Sequence, residues 1–185
     1  MILSNVEIQS AEGEFIRRYD HWLEMFARAE KPAPSPLVRE GDRVVSREGY
    51  PNEGWTGYVI EPQGDGYAVL AISTERLMNP LESLCGFFST FELAGKYVIW
   101  NIGGRLRVRC RVKSLRLLWE PQSLAPGVRA LPIAKYKTRY ELVDDPSTYM
   151  IIEAGGIQPE NRLLTMSYDD LDRALEEGLP GSVTG

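Results

Sequence analysis

The stretch Asn79-Pro80-Leu81-Glu82-Ser83-Leu84-Cys85-Gly86-Phe87-Phe88-Ser89-Thr90-Phe91-Glu92-Leu93-Ala94-Gly95-Lys96-Tyr97-Val98-Ile99-Trp100, followed by Gly103-Gly104-Arg105-Leu106-Arg107-Val108-Arg109-Cys110-Arg111-Val112-Lys113, decides how this chain is read. Leu81, Leu84, Cys85, Phe88, Phe91, Leu93 and Ala94 recur at helical spacing, which predicts one long apolar helix over 81–101. Gly103-Gly104 then reads as its end. From Arg105 the period changes to two, with Arg105, Arg107, Arg109, Arg111 and Lys113 alternating with Leu106, Val108, Cys110 and Val112. A strand turns alternate side chains to opposite faces, so this pattern predicts a strand carrying five cations on one side.

Working outward, the chain is 185 residues long with 43% hydrophobic and 25% charged residues. That is the composition of an ordinary globular protein, and one domain over 1–185 is the expectation at this length. The formal net charge is −5, yet 105–116 holds six basic residues and no acid, leaving 15 basic against 26 acidic residues elsewhere, or −11. A basic segment thus sits on an acidic body. Such a body disfavours nonspecific binding to nucleic acid or anionic membrane and suits a basic protein partner. The most apolar window, 81–102, contains Glu82, Glu92 and Lys96, so no membrane span is expected. Glu7, Glu12 and Glu14 interrupt the N-terminal apolar residues, so no secretory leader is expected. Cys85 and Cys110 read as small buried hydrophobes rather than a disulfide pair, consistent with a cytoplasmic location.

Before the central stretch, Phe15, Ile16, Tyr19, Trp22, Leu23 and Phe26 make the apolar stripe of a helix over 12–30. Pro32, Pro34 and Pro36 end it and join it, across a spacer 31–36, to an α+β body at 37–180. Arg43–Val45, Thr56–Glu61 and Tyr67–Ser73 read as strands, the last two forming a hairpin through Gly64-Asp65-Gly66. After the ladder, Leu115, Leu117, Leu118 and Trp119 read as its extension or a further strand, and 120–137 as a long irregular connection. Arg139–Val143 and Tyr149–Glu153 read as another hairpin. Ser167 is a good N-cap for a helix over 168–177, with Asp169 and Asp170 in its first turn and Gly178 past its end. The expected fold is α+β: an antiparallel sheet with one long central apolar helix and shorter N- and C-terminal helices.

Reactive chemistry is sparse. The single histidine, His21, lies between Asp20 and Trp22 on the first helix, where neighbours in sequence do not face each other, so it reads as a rim residue. One histidine and two separated cysteines do not make an ordinary zinc site. No GxxxxGK[ST], HExxH, GxSxG or EF-hand loop occurs, and no catalytic residue, cofactor or metal is assigned. Binding remains. The loop 47–55 offers Tyr50, Glu53 and Trp55, the aromatics being residue types favoured as interface anchors. Asp169, Asp170 and Asp172 are the acidic contact candidates for a basic partner. Arg105, Arg107, Arg109 and Arg111 are candidates for an anionic ligand, through the bidentate fork of arginine. Nucleic acid is not favoured, because the ladder interleaves aliphatic residues where a stacking platform would carry aromatics.

Gly66-Tyr67-Ala68-Val69, Ser73-Thr74-Glu75-Arg76, a helix ending Gly95-Lys96-Tyr97-Val98-Ile99-Trp100, and Gly103-Gly104-Arg105-Leu106-Arg107 together resemble the core of the actinobacterial immunity proteins grouped as Imm61. The ending Tyr168-Asp169-Asp170-Leu171-Asp172-Arg173-Ala174-Leu175 is similar to the short acidic C-terminal helices common in immunity proteins. The resemblance implies a cytoplasmic antidote that covers the active site of a cognate secreted toxin, with no catalysis and no cofactor. A second resemblance competes. Gly41-Asp42-Arg43-Val44-Val45, Gly57-Tyr58-Val59-Ile60 and Tyr67-Ala68-Val69-Leu70 are similar to the opening strands of SH3-like barrels, which implies a regulatory module binding nucleic acid or an anionic ligand through Arg105–Lys113.

Overall fold

A computed structural model describes residues 5–74 and 80–185, with side chains from residue 10 onward. Asn79 of the expected helix start, and Glu75 and Arg76 of the quoted motif, lie outside the described residues. The class is α+β, as expected. Eight strands among the described residues form one sheet, β1 (Val38–Glu40), β2 (Arg43–Glu48), β3 (Thr56–Gln63), β4 (Gly66–Ser73), β5 (Leu81–Phe88), β6 (Val128–Ala134), β7 (Lys137–Leu142) and β8 (Tyr149–Ile152). Their order is β1-β2-β3-β4-β5-β8-β7-β6, every pair antiparallel. Two meanders therefore meet at β5 and β8, which pair only through Gly86, Phe87 and Phe88.

The helices are α1 (Asn5–Arg28), α2 (Phe91–Arg109), α3 (Leu115–Trp119), α4 (Tyr168–Glu176) and α5 (Gly181–Thr184), with a 3₁₀ turn at Pro159–Leu164. α1 is the longest at 24 residues against 19 for α2, so the N-terminal helix is not the shorter of the two. Its stripe is Phe15, Tyr19, Trp22, Met25 and Phe26, all fully buried, while Ile16 turns outward. Burying each of these side chains contributes on the order of 2 kcal/mol.

The central stretch departs most from its sequence reading. Leu81–Phe88 is strand β5, not helix. The helix begins at Phe91, where Thr90 caps it: its Oγ1 accepts from the Leu93 amide at 3.2 Å. It then runs straight through Gly103-Gly104 to Arg109, so the arginine ladder is its C-terminal half and not a strand. The first half of α2 is largely apolar because it is enclosed, every residue of 91–100 but Glu92 being buried, with α1, α4 and the inner face of the sheet packed against the helix. Cys85 accordingly sits on β5 and Cys110 caps α2; both are half-buried free thiols. Leu115–Trp119 is helical, and the expected irregular connection 120–137 contains β6.

Two glycines set how closely α2 is approached. A Cβ on Gly95 would lie 2.3 Å from the Tyr168 hydroxyl and 3.0 Å from Phe15 Cδ2. A Cβ on Gly103 would lie 2.7 Å from Leu175 Cδ1. The inner sheet face adds Val44, Ile60, Val69, Phe88, Tyr140, Met150 and Ile152 to this core. On the opposite face Val45, Val59 and Ile72 form a second small cluster covered by Trp55 and Leu70. The opening strands of the SH3-like resemblance do form a meander, but it continues through β5 into β8 as an open sheet.

Candidate partner-binding site

With the ladder folded as a helix, its cations part company. Residues 105 and 109 are four apart and share a face; 107 lies on another. Arg105 and Arg109 both reach across to β2, each donating to one oxygen of the Glu48 carboxylate. Burial pushes the Glu48 carboxyl up, but hydrogen bonds from Arg109 and Arg105 outweigh it and hold the group below the ordinary carboxylate range. Arg105 also donates to the Tyr58 hydroxyl at 3.2 Å and lies over its ring, 5.2 Å from the centroid. Arg109 lies over Phe26 and donates to the Pro32 carbonyl.

Arg107 is only 3% exposed and is unavailable to a ligand. Its guanidinium donates to the carbonyls of Lys113 (2.8 Å), Leu175 (2.8 Å), Glu177 (2.6 Å) and Ala174 (3.3 Å). It satisfies the otherwise orphaned carbonyls at the end of α4 and meets the negative end of that helix. Arg111 takes a left-handed backbone, φ 61°, in the turn after α2. The side chains of Arg111 and Lys113 are exposed and make no hydrogen bond or ion pair among the described residues. One flat row of cations for an anionic strand does not exist.

Between the C-terminal half of α2 and α3 lies a groove of about 320 Å³. Gly104 forms its floor, Trp100, Val108 and Leu115 its apolar walls, and Arg105, Arg109 and Arg116 its polar rim. Arg116 lies over the Trp100 ring, 4.8 Å from the centroid, and donates to Glu160. Val108 is 60% exposed, and Leu117 and Leu118 of α3 are also exposed. The sequence reading assigned Val108 to a buried strand face and so missed the groove.

The loop after Glu48 begins at the edge of this groove. Tyr50 is 55% exposed and meets Trp55 edge-to-face, centroids 5.6 Å apart at 86°. Arg47 lies over both rings, 5.4 Å from Tyr50 and 5.5 Å from Trp55. Gly49 and Gly54 take positive φ at the loop ends, the Tyr50–Pro51 peptide is cis, and the Asn52 amide closes a turn on the Gly49 carbonyl at 2.9 Å. Trp55 is anchored through its carbonyl, which accepts from the Thr74 amide and hydroxyl at 3.2 and 3.1 Å. Trp55 therefore folds back on the sheet, while Tyr50 and Glu53 face solvent.

The acidic candidates sit elsewhere, on α4. Asp172 is 6% exposed and bridges to α1: the Trp22 indole donates to it at 2.8 Å and Arg18 at 2.8 Å. Burial pushes its carboxyl above the usual range, against these bonds. Asp170 completes a capping box with Ser167. Asp169 accepts from Arg18 at 2.6 Å and keeps an exposed side. His21 likewise belongs to this seam, 2.9 Å from Glu176. Asp169, Asp172 and Glu176 hold α4 to α1 while Asp170 caps α4 itself, and the structure does not bring these acids to the groove or the Tyr50 loop. No group of three or more potential ligands for a metal ion occurs among the described residues, and no described helix is long and apolar enough to cross a membrane.

The arrangement is that of an α+β protein with an internally braced aromatic loop beside a basic, partly apolar groove. No protein-family model and no curated protein matches the sequence. Among solved structures the fold is similar to that of Rv3902c from M. tuberculosis, at 13% identity and a TM-score of 0.60, over 96% of this chain and 92% of that one. At that identity the likeness concerns the fold.

Proposed function

We propose that this chain is an immunity-type binding protein that neutralises a cognate secreted toxin by covering its active site. It acts in the cytoplasm by protein–protein contact alone, without catalysis or a cofactor. The observation that carries the reading is Tyr50, a large amphipathic side chain presented to solvent and braced by Trp55 and Arg47. An aromatic held in place before binding loses little entropy on binding, which is how a few residues come to supply most of an interface's affinity. Two likenesses support the same reading. Within the segment that resembles the Imm61 group, β4 pairs with β5 and α2 packs on both. The fold over nearly the whole chain is similar to that of an actinobacterial protein, Rv3902c from M. tuberculosis. The acidic body steers a basic toxin toward the chain.

The test has two stages. Tagged chain captures its partner from host lysate at moderate salt, and the purified partner is assayed for toxic activity with and without the chain. Stoichiometric loss of that activity, relieved by Tyr50→Ala, supports the proposal. A partner whose activity is untouched overturns it, as does recovery of nucleic acid that added salt releases.

A further inference from the structure

We infer that the groove between the C-terminal half of α2 and α3 receives an acidic segment of the protein partner, one or two carboxylates flanking a branched aliphatic side chain. The inference rests on the reading of the chain as a partner-binding protein and names what that partner presents.

Shape sets the size of the occupant. About 320 Å³ lies at the small end of ligand sites and holds one or two side chains. The floor is open, since a Cβ on Gly104 would meet nothing within 4 Å. The wall includes an aliphatic side chain, Val108, left 60% exposed on α2. A branched aliphatic side chain fits that floor and removes Val108 from water.

Charge sets the rest. The fold brings two carboxylates, Glu48 and Glu160, to Arg105, Arg109 and Arg116. Arg111 and Lys113, in the turn linking the two helices of the groove, have no charged partner among the described residues. Three lining cations thus stand against two carboxylates, with Arg111 and Lys113 in the adjoining turn, while the chain outside 105–116 carries −11. An acidic segment is attracted at this end and repelled by the rest of the body, which fixes the orientation of docking as well as its place.

The same geometry argues against nucleic acid. Arg105, Arg109 and Arg116 already lie over Tyr58, Phe26 and Trp100. Each ring thus already has a guanidinium over it, and Phe26 and Trp100 are buried, which leaves a base little to stack on. A guanidinium stacked on a ring keeps its in-plane N–H donors, the geometry that suits a carboxylate.

The experiment titrates the full isotope-labelled chain with three probes, followed by NMR. The first is an acetylated pentapeptide of aspartate, leucine and glutamate. The second is the same peptide with asparagine and glutamine for the acids, and the third a short oligouridylate. The acidic peptide is expected to shift the Gly104 amide and the Trp100 indole N–H, and the amide peptide is not. Val108→Asp is expected to weaken the acidic peptide about tenfold and Val108→Lys to tighten it, a difference worth ~1.4 kcal/mol per tenfold step. Gly104→Leu puts a side chain into the groove from a position where a Cβ meets nothing within 4 Å, and is expected to abolish the shifts, its fold checked by thermal melting.

Equal binding of the amide peptide, stronger shifts with oligouridylate, or indifference to the sign of residue 108 would each overturn the inference. Failure here is separable from failure of the immunity reading. Partner capture that survives Gly104→Leu but not Tyr50→Ala removes the groove and leaves the binding protein. Groove binding by the acidic peptide in a chain that neutralises no toxin supports the groove and removes the immunity function.

Discussion

Gly103 and Gly104 are adjacent in sequence and opposite in role. Gly103 faces α4 across a gap so narrow that an added Cβ would lie 2.7 Å from Leu175, whereas Gly104 faces open groove. The division extends along the C-terminal half of α2. Its α4 side is dry and closed, with Gly95 beneath Tyr168 and Arg107 sealing the last carbonyls of α4. Its α3 side is open, with Val108 in water and Arg105 and Arg109 shared with Glu48. One helix thus holds the fold on one side and presents a surface on the other. The same residue type, glycine or arginine, serves stability or recognition according to what packs against it.

The comparison breaks first at Arg107. Replacing it with Met leaves a set of buried carbonyls without donors and is expected to cost about 3 kcal/mol, read as a lower urea midpoint with the slope unchanged. If Arg107→Met melts with the wild type, the closed side is not held as described. Tyr50→Ala should do the reverse, weakening partner binding by roughly 2 kcal/mol while moving stability less than about 0.5 kcal/mol. Calorimetric titration and thermal melting of one preparation check both halves.

The glycine pair sharpens the contrast through sign. Gly103→Ala forces Leu175 aside and is expected to destabilise by about 1 kcal/mol. Gly104→Ala meets only open space and removes a helix-interior glycine, so it should stabilise by ~0.5–1 kcal/mol. Matching shifts in the two melts would show that the two faces of α2 are not different.

Glu48 gives the smallest effect, one that depends on pH. Its carboxyl is held below the ordinary range in the fold, so the folded state binds the proton less readily than the unfolded chain. Its contribution is therefore present above the unfolded value, about 4.3, and is lost as pH falls through the folded one. The melting temperatures of wild type and Glu48→Gln should converge as pH drops from 7 to 3; a gap independent of pH would assign the Arg105–Glu48–Arg109 bridge no electrostatic role.

Much of the fold is legible in local sequence because its signals are local. Ser167 with Asp170 marks the start of α4, Gly64-Asp65-Gly66 the β3–β4 hairpin, and the Phe15–Phe26 spacing the buried stripe of α1. The central stretch misleads because enclosure erases periodicity. The enclosed first half of α2 has no polar face to mark its turns, so Leu81–Phe88 merges with Phe91–Trp100, and arginines at every second position in the second half imitate a strand. The overlooked signal is Ser89-Thr90, with Thr90 as the N-cap that starts α2 after β5 has ended. The aromatic loop is legible in Tyr50 and Trp55; that Arg47 braces both is not.

By itself, then, the sequence determined the α+β class, the antiparallel hairpins, the basic segment on an acidic body and the aromatic loop, since each follows from residues near one another in the chain. Only the tertiary structure decided which arginine is buried, which glycine is crowded, that Asp169 and Asp172 of α4 are spent on α1, and that Val108 lines a groove. Those outcomes depend on what arrives from tens of residues away (Glu48 at Arg105, Leu175 at Gly103, Arg18 at Asp172), and long-range packing leaves no period in the local sequence.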